Sequence, residues 1–444
     1  MSAHGRFPPE NAASAPPNPA PVPLAIAGSA ALIVAVLVEV FEVMLLPRRV
    51  RRRLRFVRAY FRGTWRVWRA VAGAAPRRWR AELLAGYGPL AMVGLLSVWT
   101  TALVTGFGCL QWSLHRDVPE PPTLLNQLYF SGVTFFTLGY GDVTAATHAG
   151  KVVSVLEAGI GFGFIAVAIG YLPVLYQLFS RREAHVIRLD ARAGSPPTAV
   201  ALLERHAGPQ GMTALGALLA DWESWAAELL ESHLSYPMLA YYRSQHDNES
   251  WLAALATVAD ACALLVAGLE HVPDDGADPN GAEGAAEVPR FQARMTFAAT
   301  RLTIVEMARV LADAPIDAPH AARAAMDATE GDTEGDTEGD TEGAAGDRLP
   351  EADRQVLVAR LGAVGLRFTT DDVTGDVTGD APRDTPRALA LARAAYEPQL
   401  VLLGARLGLA LPPWVRAADA PDNWEQGAPA AREVYEAAER REVR

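Results

Sequence analysis

The run Thr137-Leu138-Gly139-Tyr140-Gly141-Asp142 offers an ion two kinds of oxygen: backbone carbonyls in unbroken succession and the hydroxyl of Thr137. Gly139 and Gly141 admit φ values that other residues avoid, so successive carbonyls can be turned to one side of a single strand. Four such strands around an axis would stack rings of oxygens that replace the water shell of a dehydrated cation, with the Thr137 hydroxyls as a further ring at the inner end. The chemistry is coordination without catalysis. No nucleophile–base pair and no phosphate-cradling loop marks an enzyme.

Two elements must position this loop. Ahead of it, Thr123 to Phe136 is amphipathic to apolar and opens on a Thr N-cap after Pro121-Pro122. Behind it, Gly150 to Phe179 is apolar and long enough to cross a bilayer. A polar, glycine-rich loop between a short helix and a span would leave its backbone groups unsatisfied in lipid, so it belongs beside a water- or ion-filled path. The arrangement is that of a pore.

Thr134 through Asp142, T-F-F-T-L-G-Y-G-D, closely resembles the T-x-x-T-V-G-Y-G-D signature of the potassium channel family, in its bacterial branch with two membrane helices around one pore loop. The resemblance covers about Leu84 to Phe179, under a quarter of the chain. It implies an all-α membrane protein. Outer helix, pore helix, filter loop and inner helix would form a tetrameric pore domain, followed by a mainly helical soluble cytoplasmic domain. It implies K+ as the transported ion, bound by the carbonyls of Thr137, Leu138, Gly139 and Tyr140 and by the Thr137 hydroxyl. Gly141 completes the filter and Asp142 stands at its outer mouth. No organic cofactor is expected. The sequence departs from the signature in three ways. Leu138 replaces Val, Phe136 stands where a second Thr usually precedes the filter Thr, and Val133 occupies the position where several members carry a carboxylate that bonds the outer Asp. Tyr129 and Phe130 represent the aromatic cuff, and Phe130 has no donor for Tyr140.

The charge is unevenly spread over the 444 residues. Through Arg182 there are 18 Lys and Arg against 8 Asp and Glu; the remainder carries 22 against 43. A basic membrane half followed by an acidic soluble half argues against nucleic acid as a partner. Cys109 and Cys262 read as isolated thiols.

In chain order, residues 1–21 are rich in Pro, Ala and Asn and are expected to be disordered. Residues 22–46 form a first transmembrane helix and no cleaved signal peptide. Glu39 and Glu42 lie in it, facing the basic loop or other helices in preference to an ion path. Residues 47–82 form a basic cytoplasmic loop. Arg48 to Arg80 holds 13 arginines and no acid, with Trp65, Trp68 and Trp79 interleaved. Beside a span, such a stretch is expected to lie along anionic lipids of the inner leaflet. Its arginines lack the spacing of a voltage sensor. The positive-inside rule then sets the N-terminus outside, the filter facing outward and the C-terminal half inside a bacterial-type plasma membrane.

Residues 83–180 are the expected pore domain, with spans at Leu83 to Leu110 and Gly150 to Phe179, and an outer turret from His115 to Pro122. Gly159, Gly161 and Gly163 permit close helix packing, while the family resemblance implies a gating hinge at Gly161. Pro173 removes a helix hydrogen bond and is expected to kink the cytoplasmic end. Glu157 is expected to bond behind the pore helix in preference to facing the ion cavity.

Residues 181–312 are read as a helical cytoplasmic domain, with helical periodicity at Ala199 to Ala220, Trp222 to Leu234, Leu252 to Glu270 and Phe291 to Ala312. The G-x-G-x-x-G of a nucleotide-binding regulatory domain is missing. His233 to His246, with its aromatics and Arg243, suits a ligand pocket or, in preference, a packed helix corner. Residues 313–350 are an acidic low-complexity linker whose Asp-Thr-Glu-Gly repeats, from Asp327 to Asp347, should be solvated; they lack the spacing of a calcium loop. Residues 351–444 form a helical C-terminal segment, with periodicity at Leu389 to Ala410, a disordered stretch near 370–385 and a last helix from Ala430.

The resulting expectation is a homotetrameric, potassium-selective channel with passive flux, gated at the inner helix, with a cytoplasmic ligand unidentified. A weakly selective cation channel and a non-conducting membrane sensor on a pore fold are the alternatives.

Overall fold

The computed structural model describes residues 21–46, 55–116, 118–244, 249–272, 288–312, 347–368 and 385–417. The N-terminal stretch, Arg48 to Leu54, His246, the acidic repeats apart from Asp347, the stretch near 370–385 apart from Thr385, and the helix expected from Ala430 lie outside the described residues. The chain divides into two compact units, Met1–Arg58 with Met92–Pro173 and Ala59–Ala91 with Val174–Arg444.

The first five helices are α1 (Pro21–Met44), α2 (Arg55–Ala74), α3 (Arg77–Leu114), α4 (Leu124–Phe135) and α5 (His148–Ala193). Of these, α1, α3 and α5 are long and apolar enough to cross a membrane. In the first unit, glycine lets α1 approach α3 closely: a Cβ on Gly106 would lie 2.8 Å from Ile33. Glu39 accepts a hydrogen bond from Trp99 Nε1 at 3.1 Å, so this acid faces another helix. Gly108 does the same for α4, where a Cβ would meet Leu128 at 2.8 Å. α5 leaves Val155, Phe162 and Ile169 exposed, the condition of a helix that meets lipid or other copies.

Both α3 and α5 outrun the expected spans. α5 continues past Phe179 because Arg182, Val186, Leu189 and Ala193 make a helical stripe that is buried in the second unit. That unit also contains α6 (Ala199–Arg205), α7 (Pro209–Ser235), a 3-10 turn (Pro237–Tyr241), α8 (Trp251–Val266), α9 (Arg290–Leu311), α10 (Glu351–Ala363), α11 (Thr385–Ala394) and α12 (Glu397–Leu407). Its centre is α8, buried from Trp251 to Leu265 and apolar apart from Thr257 and Asp260, which pairs with Arg348 at 2.8 Å. α9 is joined to α7 by hydrogen bonds from Thr296 to Leu219 O (2.8 Å) and from Thr303 to Ala226 O (3.0 Å).

The helix break expected near Asp221 falls instead at Gly208, which has φ 96°. Nothing between Ala220 and Trp222 stops a helix, and α7 runs straight through. A short ribbon, β1 (Leu269–His271) antiparallel to β2 (Leu366–Phe368), pairs Glu270 with Arg367. Three-residue strands are too brief to show an alternation in the sequence.

Candidate functional site

α4 is capped where its sequence suggests: Thr123 Oγ1 accepts from Asn126 N at 3.2 Å. Beyond Phe135 the chain stays hydrogen-bonded to the helix end. Phe136 N donates to Gly132 O (3.0 Å), Thr137 N to Thr134 O (3.0 Å) and Leu138 N to Val133 O (2.9 Å). The loop therefore starts from a fixed platform. Along it φ is positive at Thr137 (56°), Gly139 (64°) and Gly141 (78°) and at neither residue between them. An alternating sign of φ turns successive carbonyls of an extended strand to the same side, the arrangement that stacked rings of oxygens require. Sequence reasoning assigned this freedom to the glycines and missed Thr137. A β-branched residue at positive φ is costly and persists only where its surroundings impose it.

Leu138 and Tyr140 are exposed on the single chain. At the far end, Tyr129 Oη donates to Asp142 Oδ2 at 2.9 Å. The outer carboxylate thus has a partner in α4 although position 133 is Val.

Behind the loop, one face of α5 supports α4. A Cβ on Gly161 would fall 2.1 Å from Phe135 O, so the two backbones touch there. One turn away, Glu157 is fully buried and hydrogen-bonded to Ser131, whose hydroxyl donates to Val104 O at 2.8 Å. Glu157 lies behind the pore helix. The start of α5 is held by Gln111, which donates to Gly150 O (3.0 Å) and Ser154 Oγ (2.9 Å). His115, at the start of the expected outer turret, is buried. Its Nδ1 donates to Gln111 O at 2.7 Å and its Nε2 accepts from Ala146 N at 3.0 Å. Pro173 lies inside α5, where the first unit ends.

In the second unit, Arg182 is no interfacial cation. It is buried, donating to Glu183 Oε1 (2.9 Å), Leu239 O (3.0 Å) and Tyr242 O (2.7 Å), 3.4 Å from His233 Nε2. Burial and the Arg182 charge push His233 down to about 3. The described part of the His233–His246 run is thus a packed corner around an arginine. A cavity of about 440 Å³ lies beside it, lined by Leu178, Arg181, Trp225, Glu228 and Tyr236 among others. Among the described residues, no cluster of His, Cys, Asp or Glu is placed to hold a metal. The tryptophans of α2 also turn inward: Trp65 Nε1 donates to Arg406 O (3.1 Å) and Trp68 Nε1 to Leu83 O (2.7 Å), while Val67 and Val71 stay exposed.

These features define an all-α membrane protein in which a short helix and a loop of alternating φ are held between two apolar spans. Residues 94–177 match the family model described as ion channel. It is 23% identical over 210 residues to the Uncharacterized membrane protein YdjJ of Bacillus subtilis strain 168, covering 46% of this chain and 59% of that protein. It is 39% identical over 62 residues to Two pore potassium channel c of Oryza sativa subsp. japonica, 14% of each chain. The chain therefore spans less than two thirds of either relative. No solved structure matches it significantly.

Proposed function

We propose that the protein is a homotetrameric potassium channel, passing K+ down its gradient across a bacterial-type plasma membrane. The observation that carries this reading is the alternation of φ through Thr137, Gly139 and Gly141 on a loop hydrogen-bonded to the end of α4. One chain supplies one such strand, and a ring of carbonyls needs four. The K+ ligands are the carbonyls of Thr137, Leu138, Gly139 and Tyr140 with the Thr137 hydroxyl; Gly141 and Asp142 form the outer end. The match to a plant potassium channel over 62 residues supports the choice of ion.

On this reading α2 and the chain beyond Phe179 are cytoplasmic, because arginines crowd the stretch between α1 and α3. Arg66, Val67 and Val71 on the open side of α2 meet anionic lipid. Gating occurs at the inner helix α5, bending near Gly161 or Pro173, with the grip on Arg182 as the handle by which the cytoplasmic helices pull. The cavity beside Arg182 is where a cytoplasmic ligand would act.

The test is the reversal potential of full-length protein in liposomes under opposed K+ and Na+ gradients. A potential near that for K+ supports selectivity. One near zero means a weakly selective cation pore, and absence of current in protein that still binds a partner means a sensor.

A further inference from the structure

We propose that Glu157 is a positioning residue for the filter: a neutral carboxyl that donates its proton to Ser131 and so fixes the last turn of α4 against α5. What the filter does is taken from the potassium-pore reading; the proton is argued from geometry.

The Ser131 hydroxyl has one proton and two partners, the Val104 carbonyl at 2.8 Å and Glu157 Oε1. A carbonyl can only accept, and so can an ionised carboxylate. If Glu157 were ionised, one hydroxyl proton would face two acceptors and one bond would fail. If Glu157 carries the proton, it donates to Ser131 Oγ, Ser131 donates to Val104 O, and both bonds form. A second observation agrees. Glu157 is 0% exposed, its Oε2 has no hydrogen-bond partner, and no charged side chain among the described residues acts on it. A bare negative charge in such a place is far more costly than a neutral acid with one idle lone-pair oxygen.

The consequence runs directly to the loop. Ser131 lies one turn before Phe135, and the carbonyls of Val133 and Thr134 hold the N–H groups of Leu138 and Thr137. Glu157, Gly161 and Phe164 follow one another at i, i+4 and i+7, on one face of α5. Gly161 touches the Phe135 backbone and the Phe164 ring lies 6.0 Å from that of Phe135. A displacement of this face shifts the inner end of the loop, and in a tetramer the shift is repeated in every subunit.

The test uses full-length protein in liposomes with Glu157→Gln, Glu157→Leu and Ser131→Ala. The amide of Gln can donate to Ser131 as the neutral acid does, so Glu157→Gln should keep the K+/Na+ permeability ratio within about twofold of wild type, while Glu157→Leu and Ser131→Ala lose about tenfold, the scale of one buried hydrogen bond left unmade. All should remain assembled by cross-linking. Independently of conduction, infrared spectra at a pH where ordinary carboxylates are ionised should show in wild type a protonated-carboxyl C=O stretch that Glu157→Gln lacks, over and above the band that Glu249 contributes to both. A Gln variant as impaired as Leu, an unimpaired Leu variant, or a missing wild-type band overturns the proposal. If Glu157→Leu does not assemble, the Gln variant and the band decide. If wild type passes no ions, the pore reading falls and the band alone decides the proton.

Discussion

A hydrogen bond of 2.7 Å runs from an Arg182 guanidinium nitrogen to the backbone carbonyl of Tyr242. It ties α5, three turns before its end, to the turn that follows α7, and with Leu239 O and Glu183 it accounts for most of what the guanidinium can donate. Arg182→Met would leave the Glu183 carboxylate, whose side chain is 9% exposed, without its partner, at a cost of about 3–5 kcal/mol. Arg182→Lys should rescue little, because an ammonium cannot span the fork. Thermal unfolding of the detergent-solubilised protein checks this, and a shift in open probability in the surviving fraction is expected with it. An unchanged melting temperature would contradict the grip.

Gly161 presses on the Phe135 carbonyl, leaving no room for a methyl group. Gly161→Ala should cost about 1–3 kcal/mol per chain through overpacking, seen as reduced recovery of assembled protein. Gly163→Ala, with open space around its Cβ position, should be recovered like wild type. A well-assembled Gly161→Ala protein with altered gating would instead assign Gly161 to the hinge.

Two buried groups in the second unit give stability opposite dependences on pH. His233 titrates near 3 in the fold against an ordinary 6.5. Between those values the unfolded chain binds a proton that the fold refuses, so stability falls as pH drops below 6.5. Burial, with a hydrogen bond and like charge from Asp190 and further charge from Glu183, raises Glu249 from 4.5 to about 8. Here the fold holds the proton, so stability falls as pH rises from 4.5 towards 8. Each limb has a slope of at most about 1.4 kcal/mol per pH unit. Melting temperatures across pH 4 to 9 should flatten on the acid side in His233→Asn and on the alkaline side in Glu249→Gln.

What could be read from the sequence was local. The N-cap at Thr123, the glycines of the loop and the apolar length of α5 are all contained in short windows. Glu157 was placed behind the pore helix because it falls one turn before Gly161. Arg182 was not legible. Its neighbours in sequence mark a membrane edge, while the carbonyls that bury it belong to Leu239 and Tyr242, more than fifty residues on. The inward tryptophans of α2 have the same cause: their acceptors lie on other helices, one of them at Arg406. The partner of Asp142 was not legible at position 133, because Tyr129 reaches the carboxylate from one turn earlier.

The central claim is tested most directly at Gly139, whose φ of 64° is open to glycine and whose Cβ position is unobstructed within the chain. Gly139→Ala should impose about 1–2 kcal/mol of backbone strain in each subunit without any clash inside its own chain. In liposomes loaded with K+, the Rb+ uptake of wild-type protein should be lost in assembled Gly139→Ala channels, or become equal for Na+. Uptake and ion preference unchanged by that methyl group would contradict it.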